Sequence, residues 1–345
     1  MIETWGFYLF TSGNTGPAER PTPTQYQEAY DRYMHLWASC EEWGFDGLAF
    51  AEHHFDPVSI SPSAHLLVAA VAARTKTLRF TTLGSVLALH DARRYVEEVG
   101  MLDYITRGRF EPGIAPGAGD AEAIKAGLPP EEIRPRYHSG ADLLSKAAES
   151  PIVTHQDAFT NLEEVLMVPS MRPETGCSTW ATVMSPNSAK WAAEKGYKLC
   201  TAWLPTPIAA SVAAAYRDAA HAAGRAVDPS MLGLRRRVFV AASDAEAQEK
   251  YEASRDMVGV TSGRAFETTD RAVRTMANEP DDFAIGSPAT VAEKLVEQCR
   301  AGGYGAVMCF TDFALFEHAD LVGSHELIGR KVAPILRSAT VSPAA

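Results

Sequence analysis

The sequence contains no run of about 18 apolar residues, the length a membrane-spanning helix needs, so none is expected. It also lacks a basic leader followed by an apolar core: the chain opens Met1-Ile2-Glu3-Thr4-Trp5, and no secretory signal is expected. Cysteine is sparse. Cys40, Cys177, Cys200, Cys299 and Cys309 stand singly with no C-x-x-C pair, which excludes a disulfide framework and points to a reducing cytoplasm. Positive charge is in deficit, with 32 Lys and Arg against 43 Asp and Glu and a net charge of −11. A surface of that sign does not suit nucleic acid or anionic lipid. The one basic cluster, Arg235-Arg236-Arg237, opens an expected strand and is too short for a binding arm. No G-x-S-x-G elbow, P-loop or G-x-G-x-x-G fingerprint occurs, which disfavours an α/β-hydrolase, a nucleotide hydrolase and a Rossmann domain.

What is present is a regular alternation. Hydrophobic residues make up 46% and charged residues 22%, enough for a large core without disorder. Short apolar strands are predicted at 5–10, 47–50, 78–83, 109–115, 178–184, 197–201, 234–241 and 305–310. Helices are predicted between them at 26–43, 64–74, 92–105, 188–195 and 208–224. Such alternation means parallel strands joined by right-handed crossovers, and eight of them close a (β/α)8 TIM barrel, here one domain over residues 1–345. A doubly wound open sheet is the alternative. Gly44, Gly196 and Gly303 stand where left-handed helix caps are wanted, and Ser287-Pro288 reads as an N-cap followed by the first helical position. Segments 11–23 and 115–136 are expected to be irregular, and 259–282 to be a lid, all after strand ends on the face where barrels place active sites.

The most informative cluster is Ala51-Glu52-His53-His54-Phe55 at the end of the second strand. A carboxylate beside two imidazoles can move a proton near neutral pH; one His in the core and one on a loop is the equally open reading. A metal site is disfavoured, because adjacent strand residues point to opposite faces and no third ligand follows. Val183 to Ala193 ends a strand in hydroxyls and starts a helix, so Ser185 or Ser188 and backbone N–H groups can receive an anion, or Asn187 or Ser188 can simply be the N-cap. Asp91 reads as an N-cap, with His90 a second polar group near the pocket. Cys299 and Cys309 read as small buried apolar groups.

Gly47 to Phe55, Arg74-Thr75-Lys76-Thr77-Leu78, and Met101 to Phe110 resemble, in order and spacing, the bacterial luciferases and luciferase-like monooxygenases, with weaker matches at 183–196 and 286–305. The resemblance implies a flavin enzyme that uses reduced FMN and O2, through a flavin C4a-peroxide, to oxidise a small organic substrate. It implies a separate flavin reductase and a homodimer. It places the peroxide-handling imidazole at His53, with Glu52 and His54 as orienting neighbours, and a non-prolyl cis peptide under the flavin ring within Thr82-Leu83-Gly84-Ser85. Ser185 and Ser188 fall on phosphate-contacting positions, and Gly117 permits close backbone approach to the cofactor. Of the strand-end aromatics, Phe10, Phe55 and Trp203 are expected near flavin or substrate. One position departs from the pattern: Pro116 stands where luciferases commonly place a phosphate-binding Arg. Barrels that use the deazaflavin coenzyme F420 have a similar glycine-rich turn there, so an F420-dependent oxidoreductase is the main rival.

Overall fold

The computed structural model describes residues 1–11, 21–55, 59–117, 119–172, 178–265, 282–314 and 316–341. The first half runs β1 (Glu3–Tyr8), α1 (Pro23–Trp43), β2 (Gly47–Phe50), α2 (Ala64–Ala72), β3 (Arg79–Thr82), β4 (Ser85–Val86), α3 (Ala92–Thr106), β5 (Phe110–Glu111) and β6 (Gly113–Ala115). Then follow α4 (Asp120–Lys125), α5 (Pro130–Glu149), a hairpin of β7 (Ile152–Gln156) and β8 (Asn161–Leu166), β9 (Trp180–Val183) and α6 (Pro186–Lys195). The chain continues through β10 (Lys198–Thr201), α7 (Thr206–Ala222), β11 (Leu232–Val240), α8 (Asp244–Ala265), β12 (Ala284–Gly286), α9 (Pro288–Gly302) and β13 (Ala306–Phe310). Helices α10 (His318–Leu327) and α11 (Ala333–Ser338) close it.

The strands form one mostly parallel sheet in the order β4-β6-β9-β10-β11-β13-β1-β2-β3-β5, with β12 beside β11. The two ends of that path are neighbours in the chain, since β3 and β4 flank the Leu83–Gly84 bond and β5 and β6 flank Pro112. Pro112 has no N–H to give a ladder, which is why the strand breaks there. The sheet is curled, so that Trp5 of β1 and Trp180 of β9 meet at 6.2 Å across its concave face. Strands β2, β11 and β13 are buried along their whole length, as expected where helices cover one face and side chains fill the other.

Strand parity sorts the core into two layers. Tyr8, Leu48, Val307 and Cys309 pack outward against the helices, while Trp5, Phe7, Ala49, Met308 and Phe310 fill the concave side. The left-handed caps at Gly44, Gly196 and Gly303 and the Asp91 N-cap form as expected.

Several expectations need correction. The segment 115–136 is not irregular throughout: α4 and the start of α5 occupy much of it, with Pro130 at the first turn of α5 where its missing N–H costs nothing. The β7–β8 hairpin lies outside the expected strands: burial alternates only along the five residues of β7, and β8 carries Glu163 and Glu164 with only Leu162 buried. Arg235, Arg236 and Arg237 lie in a strand as expected, and all three are buried in β11. Residues 12–20 and 266–281, from two of the expected loops, and Cys177 lie outside the described residues. No helix among the described residues is long and apolar enough to cross a membrane.

Candidate active site

At the C-terminal ends of the strands lies a cavity of about 590 Å³. Its wall is built by Phe7 of β1, Ala51 to His53 after β2, Leu83, Gly84 and Val86, and Ala115 to Gly117 after β6. The turn from β9 into α6 contributes Thr182 to Ser185, Asn187 and Ser188; Arg134, Tyr137 and His138 come from α5, Trp203 follows β10, and Arg235 sits on β11.

Glu52 leaves the end of β2 with its carboxylate buried. Its Oε1 accepts from the Val86 backbone N–H at 3.1 Å and lies 3.0 Å from His54 Nε2 and 2.7 Å from His90 Nε2. Burial pushes this carboxyl upward, but the hydrogen bonds from His54 and His90 outweigh it and hold the group at about 2. At His90 burial acts downward, and the Glu52 hydrogen bond and charge overcome it to raise the imidazole. Glu52 is therefore an anion that fixes two imidazoles, neither of them His53. His53 lines the cavity, and its Nδ1 is 3.8 Å from Glu122 Oε1 of α4, the same oxygen that accepts the His54 backbone N–H at 2.8 Å. The residue that faces His53 is thus Glu122, from the segment expected to be a loop.

The Leu83–Gly84 peptide is cis, within the stretch the sequence singled out. Gly84 is required by close approach: a Cβ there would lie 2.6 Å from the backbone of Ile114. Thr82 is placed differently from expectation. Its buried Oγ1 donates to the Gly113 carbonyl at 2.6 Å and accepts the Gly113 N–H at 3.1 Å, so it clamps β3 to the neighbouring strand and does not line the cavity.

The helix expected from 188 begins at Pro186, with Ser185 as N-cap. Ser185 Oγ accepts the Ser188 N–H at 3.3 Å, and Ser188 Oγ accepts the Ser185 N–H at 3.1 Å, a reciprocal capping box. Both hydroxyls and the α6 N-terminus face the cavity, as do Arg134 and His138. Burial, with Arg134 and Lys195 repelling and Asp142 opposing, lowers the His138 pKa. Arg134, from α5, also lines the cavity, where Pro116 brings no charge.

Of the three aromatics expected at the pocket, Trp203 is there and the other two are not. Phe10 has the parity of Tyr8, faces the helices, and packs among Tyr30, Tyr33 and Trp37 at 4.9, 5.1 and 4.9 Å. Phe7, one face over, takes the pocket position. Phe55 is 59% exposed and outside the cavity wall. Sequence reading missed Arg134 and Arg235 as cavity-lining groups and Glu122 as the neighbour of His53; the parity of β11 was the available signal for Arg235.

A model of the family described as luciferase-like monooxygenase matches residues 9–305. An uncharacterised protein, y4wF of Sinorhizobium fredii, is 28% identical over 82% of this chain and 85% of its own length. The 2,5-diketocamphane 1,2-monooxygenase 2 of Pseudomonas putida is 27% identical over 69% of each chain. The alkanal monooxygenase alpha chain of the Kryptophanaron alfredi symbiont is 26% identical over 56% of this chain, which spans 54% of that protein. Among solved structures, the oxygenating constituent of 3,6-diketocamphane monooxygenase from Pseudomonas putida, in complex with FMN, superposes with a TM-score of 0.79 at 21% identity over all of both chains. An F420-dependent secondary alcohol dehydrogenase gives 0.73 at 16% identity over 98% of this chain and 99% of its own. With the family model matching residues 9–305, the chain belongs to the luciferase-like monooxygenase family.

Proposed function

We propose that the protein is the oxygenating component of a two-component monooxygenase that binds reduced FMN delivered by a separate flavin reductase and oxidises a small organic substrate with O2. The observation that carries the reading is one cavity lined both by the α6 N-terminus with Ser185, Ser188 and Arg134 and by the His53 imidazole, which suit a phosphate and a proton transfer. A helix N-terminus and a nearby guanidinium suit a phosphomonoester. The residues fit the coenzyme in a second respect, since Thr182 Oγ1, Trp203 Nε1 and Arg235 Nε are buried in the cavity wall with no protein partner. A polar ligand would satisfy them.

In this reading bound reduced FMN supplies two electrons to O2, one oxygen atom going to the substrate and the other to water. Phe7, Leu9, Val86 and Trp203 exclude bulk water from that space. His53 transfers the proton the oxygen chemistry requires, and Glu122 orients its ring. Leu83, Gly84 and Gly117, all in the cavity wall, would hold the flavin ring. For the scaffold, we take β3 with β4 and β5 with β6 as single interrupted strands, so that the sheet closes into an eight-stranded (β/α)8 barrel, assembled as a homodimer. The Pro116-Gly117 turn favours the F420 rival, and Arg134 answers it by restoring a phosphate cation.

A Ser185→Ala, Ser188→Ala double variant should bind reduced FMN more weakly by about 0.5–1.5 kcal/mol per hydroxyl lost, read by anaerobic flavin fluorescence. Unchanged affinity removes the phosphate from this site. The two-component assignment is tested by turnover with NADH and FMN: product should require an added flavin reductase, and substantial turnover without one refutes it.

A further inference from the structure

Arg235, Arg236 and Arg237 alternate across β11. Arg236, on the helix side, has a full set of partners: its Nε donates to Gln298 Oε1 at 2.8 Å, its Nη1 to the Leu204 carbonyl at 3.1 Å, and its Nη2 to Thr206 Oγ1 at 2.9 Å, with Asp282 at 3.8 Å. Arg235 differs. It reaches across the concave face, 5% exposed, and its Nη2 donates to the Leu83 carbonyl at 3.3 Å. Its guanidinium carbon lies 4.0 Å from the Phe7 ring centre and 5.0 Å from that of Trp203. The Cys200 thiol is a further polar neighbour, burial depresses the guanidinium pKa, and no carboxylate among the described residues pairs with it. Its Nε has no acceptor, and the Trp203 indole N–H beside it has none either, both in the wall of the cavity.

Burying a cation without a countercharge is costly, and aromatic faces and one carbonyl offset only part of that. A brace to Leu83 alone does not need a charge: a glutamine would make the same hydrogen bond. A guanidinium packed against two aromatic rings, on a residue that lines the cavity, is suited to a planar anionic acceptor.

We propose that Arg235, with Trp203 beside it, forms an anion subsite in the inner wall of the cavity that receives a planar organic anion. The source is either a carboxylate or enolate oxygen of the substrate, or the deprotonated pyrimidine edge of reduced flavin. The flavin source rests on the FMN reading above; the carboxylate source stands whichever coenzyme enters.

Calorimetric titration of the full chain separates these. The probes are two matched pairs: benzoate against neutral benzamide, and, anaerobically, photoreduced against oxidised FMN. The wild type should prefer the anionic member of at least one pair by about tenfold, and the pair that shows the preference identifies the source. Arg235→Gln should abolish that preference, the anionic member of the pair losing about tenfold more affinity than the neutral or oxidised one. Arg235→Lys, which keeps the charge and loses the fork, should weaken the preferred anion several-fold. Absence of preference in both wild-type pairs overturns the subsite without recourse to any variant. So does a preference that survives in folded Arg235→Gln or, should that variant not fold, one undiminished in Arg235→Lys. Failure of reduced FMN to bind in any form would instead refute the coenzyme reading while leaving the benzoate pair decisive.

Discussion

His53→Ala is expected to lower product formation by about 10²–10⁴-fold, the usual worth of a positioned general acid or base, with flavin binding and the fold retained. His53 lines the cavity, and its ring faces Glu122 at 3.8 Å. In a single turnover with pre-reduced FMN and an accepted substrate, the variant should still consume O2 but release it as hydrogen peroxide in place of product. Wild-type product yield from His53→Ala would make the imidazole a bystander; loss of the folded state would make it a structural residue.

Glu52→Ala should be the most destabilising single substitution at the site, by about 3–5 kcal/mol, the cost of removing one partner from a buried charged network. It strands the Val86 N–H and the Glu52-facing nitrogens of His54 and His90. Its pH dependence has a defined sign. Glu52 sits at about 2 in the fold against an ordinary 4.5, so its contribution is complete above pH 4.5 and disappears as pH falls toward 2. His90, raised above 6.5, contributes fully below 6.5 and loses its share as pH rises through its raised value. Urea midpoints of wild type and variant should therefore differ most between about pH 4.5 and 6.5 and converge in acid. A difference that stays constant from neutral pH down to about pH 2 would separate the destabilisation from the carboxylate.

Strand and helix order was legible because parallel strands under helices carry unbroken apolar runs, and because capping residues such as Gly44 and Asp91 act locally. The cavity's position followed from strand ends alone, and its resident Ser185, Ser188, His53, Leu83, Gly84 and Trp203 were named from sequence. Two kinds of information were not local. Which neighbour binds which imidazole depends on α3 and α4 folding back over β2, so the partnership of Glu52 with His90, and of Glu122 with His53, lay beyond reading along the chain. Facing direction was local but overlooked: Phe10 shares parity with outward Tyr8, and Arg235 with the inward layer.

The most direct test is to titrate the protein anaerobically with photoreduced FMN and, separately, with reduced F420, and then admit O2. An FMN-dependent monooxygenase should bind reduced FMN saturably, alter its rate of reaction with O2 relative to free flavin, and show no saturable binding of reduced F420. Saturable binding of reduced F420, with no binding of reduced FMN and no effect on its oxidation, would contradict the assignment.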